Sequence, residues 1–190
     1  MSTSAEDLRT IALQEFATAG YAGTSLHRIA DLAGLSKSSV LYHYASKDAL
    51  LEAAVAPSIE RLSEILMTMA TRPVTKASRK AFIADFVDFL LEHRLEVHLF
   101  INQGRSLVDV PVVDRANELV DRLAEFFAST TMTAEHRMRF GIALGGAAFL
   151  LVSPQSRELE AAPYGETRSA LITILSELLA PVPVSIALEK

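Results

Sequence analysis

Cysteine is absent from this chain of 190 residues, which excludes disulfides, thiolate metal sites and cysteine nucleophiles and fits a reducing compartment. Aromatic residues are scarce, at 7%. No apolar run is long enough to cross a bilayer: the longest uncharged stretch, 140–156, is interrupted by Gly145, Gly146 and Pro154. It falls short of the roughly 20 apolar residues that a spanning helix needs, so it reads as a buried helix and no membrane partner is expected. No basic-then-apolar leader opens the sequence, because Met1 to Asp7 is polar and acidic; the expectation is a cytoplasmic protein. Phosphate loops, nucleophile elbows and paired metal ligands are missing as well, so neither an enzyme nor a metal or other cofactor is expected.

A broad positive field is also lacking. Net charge is −5, and residues 1–50 carry four basic side chains, Arg9, Arg28, Lys37 and Lys47, against five acidic ones. Any affinity for nucleic acid must come from a few placed cations, helix N-terminal amides and the pairing of two copies. Half the residues are nevertheless hydrophobic and the mean hydropathy is +0.26. That much apolar surface calls for a subunit interface or an internal pocket.

The periodicity is helical throughout. Ser4 can cap a first helix in which Leu8, Ile11, Ala12, Phe16 and Ala19 recur at helical spacing, and Gly20 ends it. Ser25 precedes a second helix, Leu26 to Ala33, with Leu26, Ile29, Ala30 and Ala33 on one stripe. Gly34 breaks it, Ser36 caps a short third helix to about Tyr44, and Ser46 opens a long fourth helix. Beyond Arg72-Pro73 four amphipathic segments follow, about Lys76 to Gln103, Val112 to Ser129, Thr133 to Ser153 and Gly165 to Leu179. Pro111, Pro154, Pro163, Pro181 and Pro183 fall at the joints.

The second and third helices, joined by a short turn, form a helix-turn-helix, the unit that lays a recognition helix in the major groove of DNA. Ala30 is small where the helices cross, Gly34 can take a positive φ, and Leu35 with Val40 seals the pair against the first helix. With Val40 and Tyr44 inward, Ser38 and Tyr42 face out, Ser39 and Leu41 lie on the flanks, and Lys37 stands at the start. Serine, tyrosine and lysine can all reach base edges or phosphates. His43 is expected nearer the buried side, close enough to a phosphate to bond one.

Phe16, Gly20-Tyr21, Thr24-Ser25, Ile29-Ala30, Ala33-Gly34-Leu35-Ser36-Lys37, Tyr42-His43-Tyr44, Lys47 and Leu50-Leu51 together resemble the N-terminal signature of the tetracycline-repressor (TetR) family. The resemblance runs from about Ala5 to Ala54. It implies an all-α fold with an N-terminal three-helix helix-turn-helix DNA-binding domain (1–63, including the start of the connecting helix) and a C-terminal helical ligand-binding and dimerisation domain (64–190). It further implies a ligand-responsive repressor that binds double-stranded operator DNA as a homodimer. On that resemblance Thr24, Ser25 and Lys47 hold phosphates, and Lys37, Ser38, Ser39, Tyr42 and His43 meet the DNA. Two positions depart from the family: Ser38 stands where glycine is frequent, and Leu41 where a backbone-contacting tyrosine is usual. A helical protein-interaction module that keeps the motif without binding DNA is the alternative.

In the C-terminal region only the architecture transfers. Gly141, Gly145 and Ala148 or Ala147 would let another helix approach closely, and with Leu171, Ile174, Leu175 and Leu178 could build an intersubunit four-helix bundle; a plain core helix is the alternative. Phe86, Phe89, Phe100, Phe126 and Phe140, with His93, Asn102 and Gln103, are the candidate lining of a pocket for a small, largely apolar effector, although core packing also explains such residues. His93 and His98 would point about 140° apart on a continuous helix, which argues against a shared metal.

Overall fold

Serine side chains set where the early helices begin. The structure, a computed structural model, describes residues 5–73, 75–103, 107, 110–129, 133–153 and 162–180, without the side chains of 123, 124 and 126–129. Helix α1 spans Ala5–Ala19; its expected cap, Ser4, lies outside the described residues. It stops at Gly20, whose φ of +86° suits glycine alone. Helix α2, Leu26–Leu32, is capped by Ser25, whose hydroxyl accepts the Arg28 N–H at 3.1 Å. Helix α3, Lys37–His43, is capped by Ser36 through the Ser39 N–H at 3.1 Å. Helix α4, Lys47–Thr71, is capped by Ser46 through the Ala49 N–H at 3.0 Å. Each of these three caps stands where the sequence puts it, and each contributes about 1 kcal/mol.

α4 carries an exposed proline, Pro57, in its interior. Unlike the prolines expected at joints, it marks none; its ring withdraws one i→i−4 bond on the face where solvent can take the freed carbonyl. Helix α5, Lys76–Glu92, opens with a reciprocal cap between Thr75 and Ser78. The expected helix from Lys76 to Gln103 is in fact two, because His93 leaves the helical region at φ −113°, ψ 37°, and α6 runs separately over Arg94–Gln103. No glycine or proline announces that bend; the imidazole Nδ1 of His93, 3.0 Å from the buried Glu96 carboxylate, holds it.

Helix α7 covers Pro111–Ser129, with proline at the first position, where a missing N–H costs nothing. Helix α8, Ala134–Phe140, passes through a π-helical turn, Gly141–Gly145, into α9, Gly146–Val152, as one unbroken rod. Helix α10, Tyr164–Leu178, packs on α5 and on the π-turn, tied to α5 by a bidentate pair between Arg168 and Asp88 at 2.5 and 2.7 Å. The described residues contain no strand, and the expected all-α class is the fold found.

Two apolar clusters organise these helices. In the first, Leu8, Ala12 and Phe16 of α1 meet Ile29, Ala30 and Val40 of α2 and α3 and Leu50, Leu51 and Val55 of α4. Leu99 from α6, Leu107, and Val112 and Val113 from α7 close it from the other side. In the second, Ile65 of α4 meets Phe82, Ile83, Phe86 and Leu90 of α5, Ala143, Leu144, Ala147 and Leu151 of the rod, and Leu175 of α10. α4 therefore serves as a common spine, and a division between residues 63 and 64 falls inside it.

Candidate nucleic-acid interface

The turn between α2 and α3 is fixed by its own hydrogen bonds. The Leu35 N–H reaches the Ala30 carbonyl at 2.8 Å and the Gly34 N–H reaches Asp31 at 3.1 Å, with Gly34 at φ +66°. This is a Schellman closure: two helix-end carbonyls are satisfied and the chain is turned sharply into α3. Leu35 packs against the first cluster while Val40 is fully buried in it. At the far end of α3, the Tyr44 hydroxyl donates to the Ala5 carbonyl at 2.9 Å, which pins α3 to the start of α1. The helix is held at both ends and can present its outer face without rearranging.

That outer face consists of Lys37, Ser38, Leu41, Tyr42 and His43, all exposed, with Tyr42 at 87%. Ser39 is half-buried and shares its hydroxyl with Ser36 at 2.8 Å, so it braces the N-terminus of the helix. His43 corrects the sequence expectation: it is exposed, and its ring meets that of Tyr42 edge-on at 5.3 Å. A helix as short as α3 has no following turn to cover its last residue, so His43 joins the open face.

The expected phosphate anchors are placed differently. Ser25 is exposed at the start of α2. Thr24 is only 3% exposed, and its hydroxyl donates to the Gly20 carbonyl at 2.7 Å; its side chain closes the turn after α1. Lys47 reaches back to the same turn, donating to the carbonyls of Tyr21 at 2.9 Å and Thr24 at 3.1 Å, with its ammonium 4.1 Å from the Tyr21 ring centroid. Arg28 is paired with Glu15 at 3.2 Å. Two of the four cations in residues 1–50 are thus engaged within the chain.

Tyr21 is the hub of this turn. Its ring packs on Phe16 at 5.3 Å and its hydroxyl donates to Asp48. Burial above all, then the hydrogen bond and negative charge of Asp48, push the phenol above its ordinary range, so it stays a donor. Its backbone N–H donates to the Gln103 side-chain oxygen at 2.7 Å.

The other sequence candidates scatter. Phe86 and Phe89 are buried in the second cluster, in one stacked row with Phe82, and the His93 ring lies against Phe89 at 5.3 Å. Phe140 packs on the edge of that cluster. Phe100 packs on the first cluster instead, Asn102 is exposed and donates to the His98 carbonyl at 3.2 Å, and Gln103 is bonded to α1. The Phe126 side chain lies outside the described residues. These residues form no single lining. A groove of about 250 Å³ does open between α4 and α7, lined by Ile59, Glu60, Ser63, Arg115, Leu119 and Arg122, among others. No periodic pattern in the sequence distinguishes those residues from an ordinary helix surface.

Among the dimerisation candidates, a Cβ added at Gly141 or Gly145 would meet open space. Ile174 is exposed, Ala148, Leu171 and Leu178 pack partly on the second cluster, and Leu175, 2% exposed, fills the core of its own subunit. Leu175 is therefore corrected from interface to core. Met138, Ile142 and Phe149, none of them among the dimerisation candidates, stand 64%, 65% and 57% exposed along the same rod.

Among the described residues no helix is long and apolar enough to cross a membrane, and no group of acidic residues and histidines is arranged to hold a metal. Residues 9–54 match the profile of the bacterial regulatory proteins of the tetR family. The chain is 31% identical over 114 residues, 57% of its length, to the HTH-type transcriptional repressor KstR2 of Mycolicibacterium smegmatis, of which it covers 54%. It is 29% identical over 128 residues, 65% of its length, to the HTH-type transcriptional regulator RutR of Escherichia coli strain K12, again covering 54% of it. The chain thus spans about half the length of these curated relatives. In fold it is similar to the ketosteroid transcriptional regulator KstR2 of Mycobacterium tuberculosis, with a TM-score of 0.73 over 94% of this chain and 95% of that one at 14% identity.

Proposed function

We propose that the chain, whose residues 9–54 match the tetR family of bacterial regulatory proteins, is a cytoplasmic, DNA-binding transcriptional repressor rather than an enzyme, acting as a homodimer and leaving its operator when a small, largely apolar molecule binds the helical body. The observation that carries the reading is the face of α3. A tyrosine 87% exposed, beside Lys37, Ser38 and His43, stands on a helix locked at both ends. An exposed ring of that size gains nothing for folding, and it has the reach and the hydroxyl to contact a base edge or phosphate.

Dimerisation is supported by the exposed apolar side chains of Met138, Ile142 and Phe149 on the rod, with open space at Gly141 and Gly145 and Ile174 exposed on α10, which packs on the π-turn. Residues 138, 142, 145 and 149 are all exposed along the rod. Exposed side chains of this kind are buried on pairing, as in a four-helix bundle made from two rods and two copies of α10.

A gel-shift of the purified protein against its own upstream DNA at low salt, with no small molecule added, tests the reading. A shifted complex of one dimer per site is expected; persistent failure to shift overturns it. A second reading, a protein-interaction module, draws on the exposed Leu41 and on the internal engagement of Arg28 and Lys47. It gains if the protein dimerises normally yet shifts no DNA. A thermal-shift screen of small apolar metabolites then locates the effector class, since a ligand bound only by the folded state raises the melting temperature.

A further inference from the structure

Helix α6 holds the carbonyl ends of two other helices, one at each of its own ends. Near its start, the Arg94 guanidinium donates to the Leu151 carbonyl at 3.0 Å, and the His98 Nδ1 lies 3.2 Å from the Val152 carbonyl. These are the last two residues of α9, whose carbonyls have no helical N–H ahead of them. At its end, the Gln103 amide does the same for α1. Its Nε2 donates to the Phe16 carbonyl at 2.7 Å and more distantly to Ala17 at 3.4 Å, while its Oε1 accepts the Tyr21 N–H at 2.7 Å. One side chain spans the turn where α1 stops, bridging 82 to 87 residues of sequence.

Apolar packing between the same helices, like the shared spine α4, sets the crossing only to within about 15–20°. Leu99 is fully buried in the first cluster and Phe100 packs on it, but hydrophobic contact is non-directional and tolerates sliding. Hydrogen bonds are directional, and a primary amide that donates on one side and accepts on the other admits few orientations. We propose that Gln103 is the positioning residue that fixes the angle of the DNA-binding head on the helical body, so that α6, anchored on α9 by Arg94 and His98, sets the spacing of the two recognition helices in the dimer. The proposal rests on the reading of the chain as a dimeric DNA-binding regulator. α6 is about 15 Å long, and rotation at its Gln103 end would swing the head away from the position the dimer frame sets.

The chain has no cysteine of its own, so paired spin labels can be placed at Gln14→Cys on α1 and Lys80→Cys on α5, both exposed. Diluting the labelled chain into excess unlabelled chain restricts the measured distance to one subunit. The expected result is one narrow distance for the otherwise native protein and a broader or displaced distribution for Gln103→Ala. Gln103→Glu, which keeps the length and the acceptor for Tyr21 but loses the donor to Phe16, should fall on the side of Gln103→Ala.

The same variants are then tried on operator DNA selected by the native protein from a random pool, with the spacer between half-sites lengthened and shortened by one base pair. Gln103→Ala should bind an isolated half-site as the native protein does, yet lose about tenfold of its preference for the natural spacer, the weight of one hydrogen bond. Equal loss at half-site and full site with a lowered melting temperature would mean a stabilising contact only, and would overturn the proposal. Unchanged distances and an unchanged spacer preference would overturn it too. If the native protein selects no DNA at all, the regulator reading falls and the spacing claim with it, while the distances still decide whether Gln103 holds the head.

Discussion

Replacing Lys47 with methionine separates two roles for this residue. Methionine keeps most of the apolar stem and removes only the ammonium. In the structure that ammonium donates to two carbonyls, at 2.9 and 3.1 Å, and faces the Tyr21 ring at 4.1 Å. A hydrogen bond from a charged donor contributes about 1.5–3 kcal/mol, and the ring contact about 0.5–1 kcal/mol at a partly exposed site. Lys47 is half-buried, and solvent will re-satisfy part of what is lost, so the net cost is about 2 kcal/mol. For a chain of this size that lowers the melting temperature by about 4–8 °C, read by far-UV circular dichroism. Were Lys47 a phosphate ligand instead, as the family resemblance implies, its loss from both heads would flatten the slope of log K against log salt by about 2 and leave stability nearly unchanged. The expected outcome is the stability loss with a change in slope well below 1; a flattened slope with an unmoved melting temperature would refute the assignment of Lys47 as an internal clamp.

Tyr42→Ala should leave the melting temperature unchanged and weaken operator binding at least fivefold in fluorescence anisotropy, the scale of losing one base-edge contact; equal affinity would remove Tyr42 from the interface. Ile142→Glu, at a position 65% exposed, should leave the helical content intact and shift the protein toward monomer in analytical ultracentrifugation; an unchanged dimer would place the interface elsewhere. The Asp88 carboxyl is held below its usual range, chiefly by its hydrogen bond from Arg168. A carboxylate whose folded-state pKa is depressed adds stability above the unfolded value near 4 and loses it as pH falls through the folded value. Asp88→Asn should therefore lower the melting temperature at neutral pH, and its gap to the native protein should close as pH falls below about 4; a gap independent of pH would contradict the ion-pair assignment.

What could be read in the sequence was local. Ser25, Ser36 and Ser46 sit one residue before their helices and cap them by reaching an N–H three residues on, a relation that a linear pattern carries in full. Gly34 with Leu35 is the same kind of signal, since the Schellman closure spans only residues 30–35. The residues whose roles changed are those with distant partners. Lys47 bonds carbonyls 23 and 26 positions away and Gln103 bonds a turn 82 positions away. Nothing in the spacing of a lysine or glutamine reveals a carbonyl brought close by tertiary packing. The bend at His93 escaped although its contact with Glu96 is local, since the Lys76 to Gln103 pattern is helical on both sides and no glycine or proline marks the turn. Leu175 and Ile174 are adjacent in sequence, and only the packing of α10 on the second cluster decides which of them is buried.

The fate of the charges also bears on how the protein would hold DNA. Residues 1–63 carry five cations; Arg28 is paired with Glu15, Lys47 caps the turn after α1 and Arg61 faces Glu64 and Asp85, which leaves Arg9 and Lys37 to meet phosphates. A dimer then brings about four such contacts, and each contributes about 0.9 to the slope of log K against log salt. Operator binding should therefore depend only shallowly on salt, with a slope of magnitude about 4 or less. Measured affinities at a series of potassium chloride concentrations give that slope directly. A value near 10 would mean that many more cations reach the DNA than the head presents, and would shift the interface toward the body of the protein. A shallow slope would mean that affinity comes from the fit of two rigid heads to two correctly spaced half-sites. In that case the hydrogen bonds that hold each head in place, at Gly34, Tyr44 and Gln103, matter as much to binding as the side chains that touch the bases.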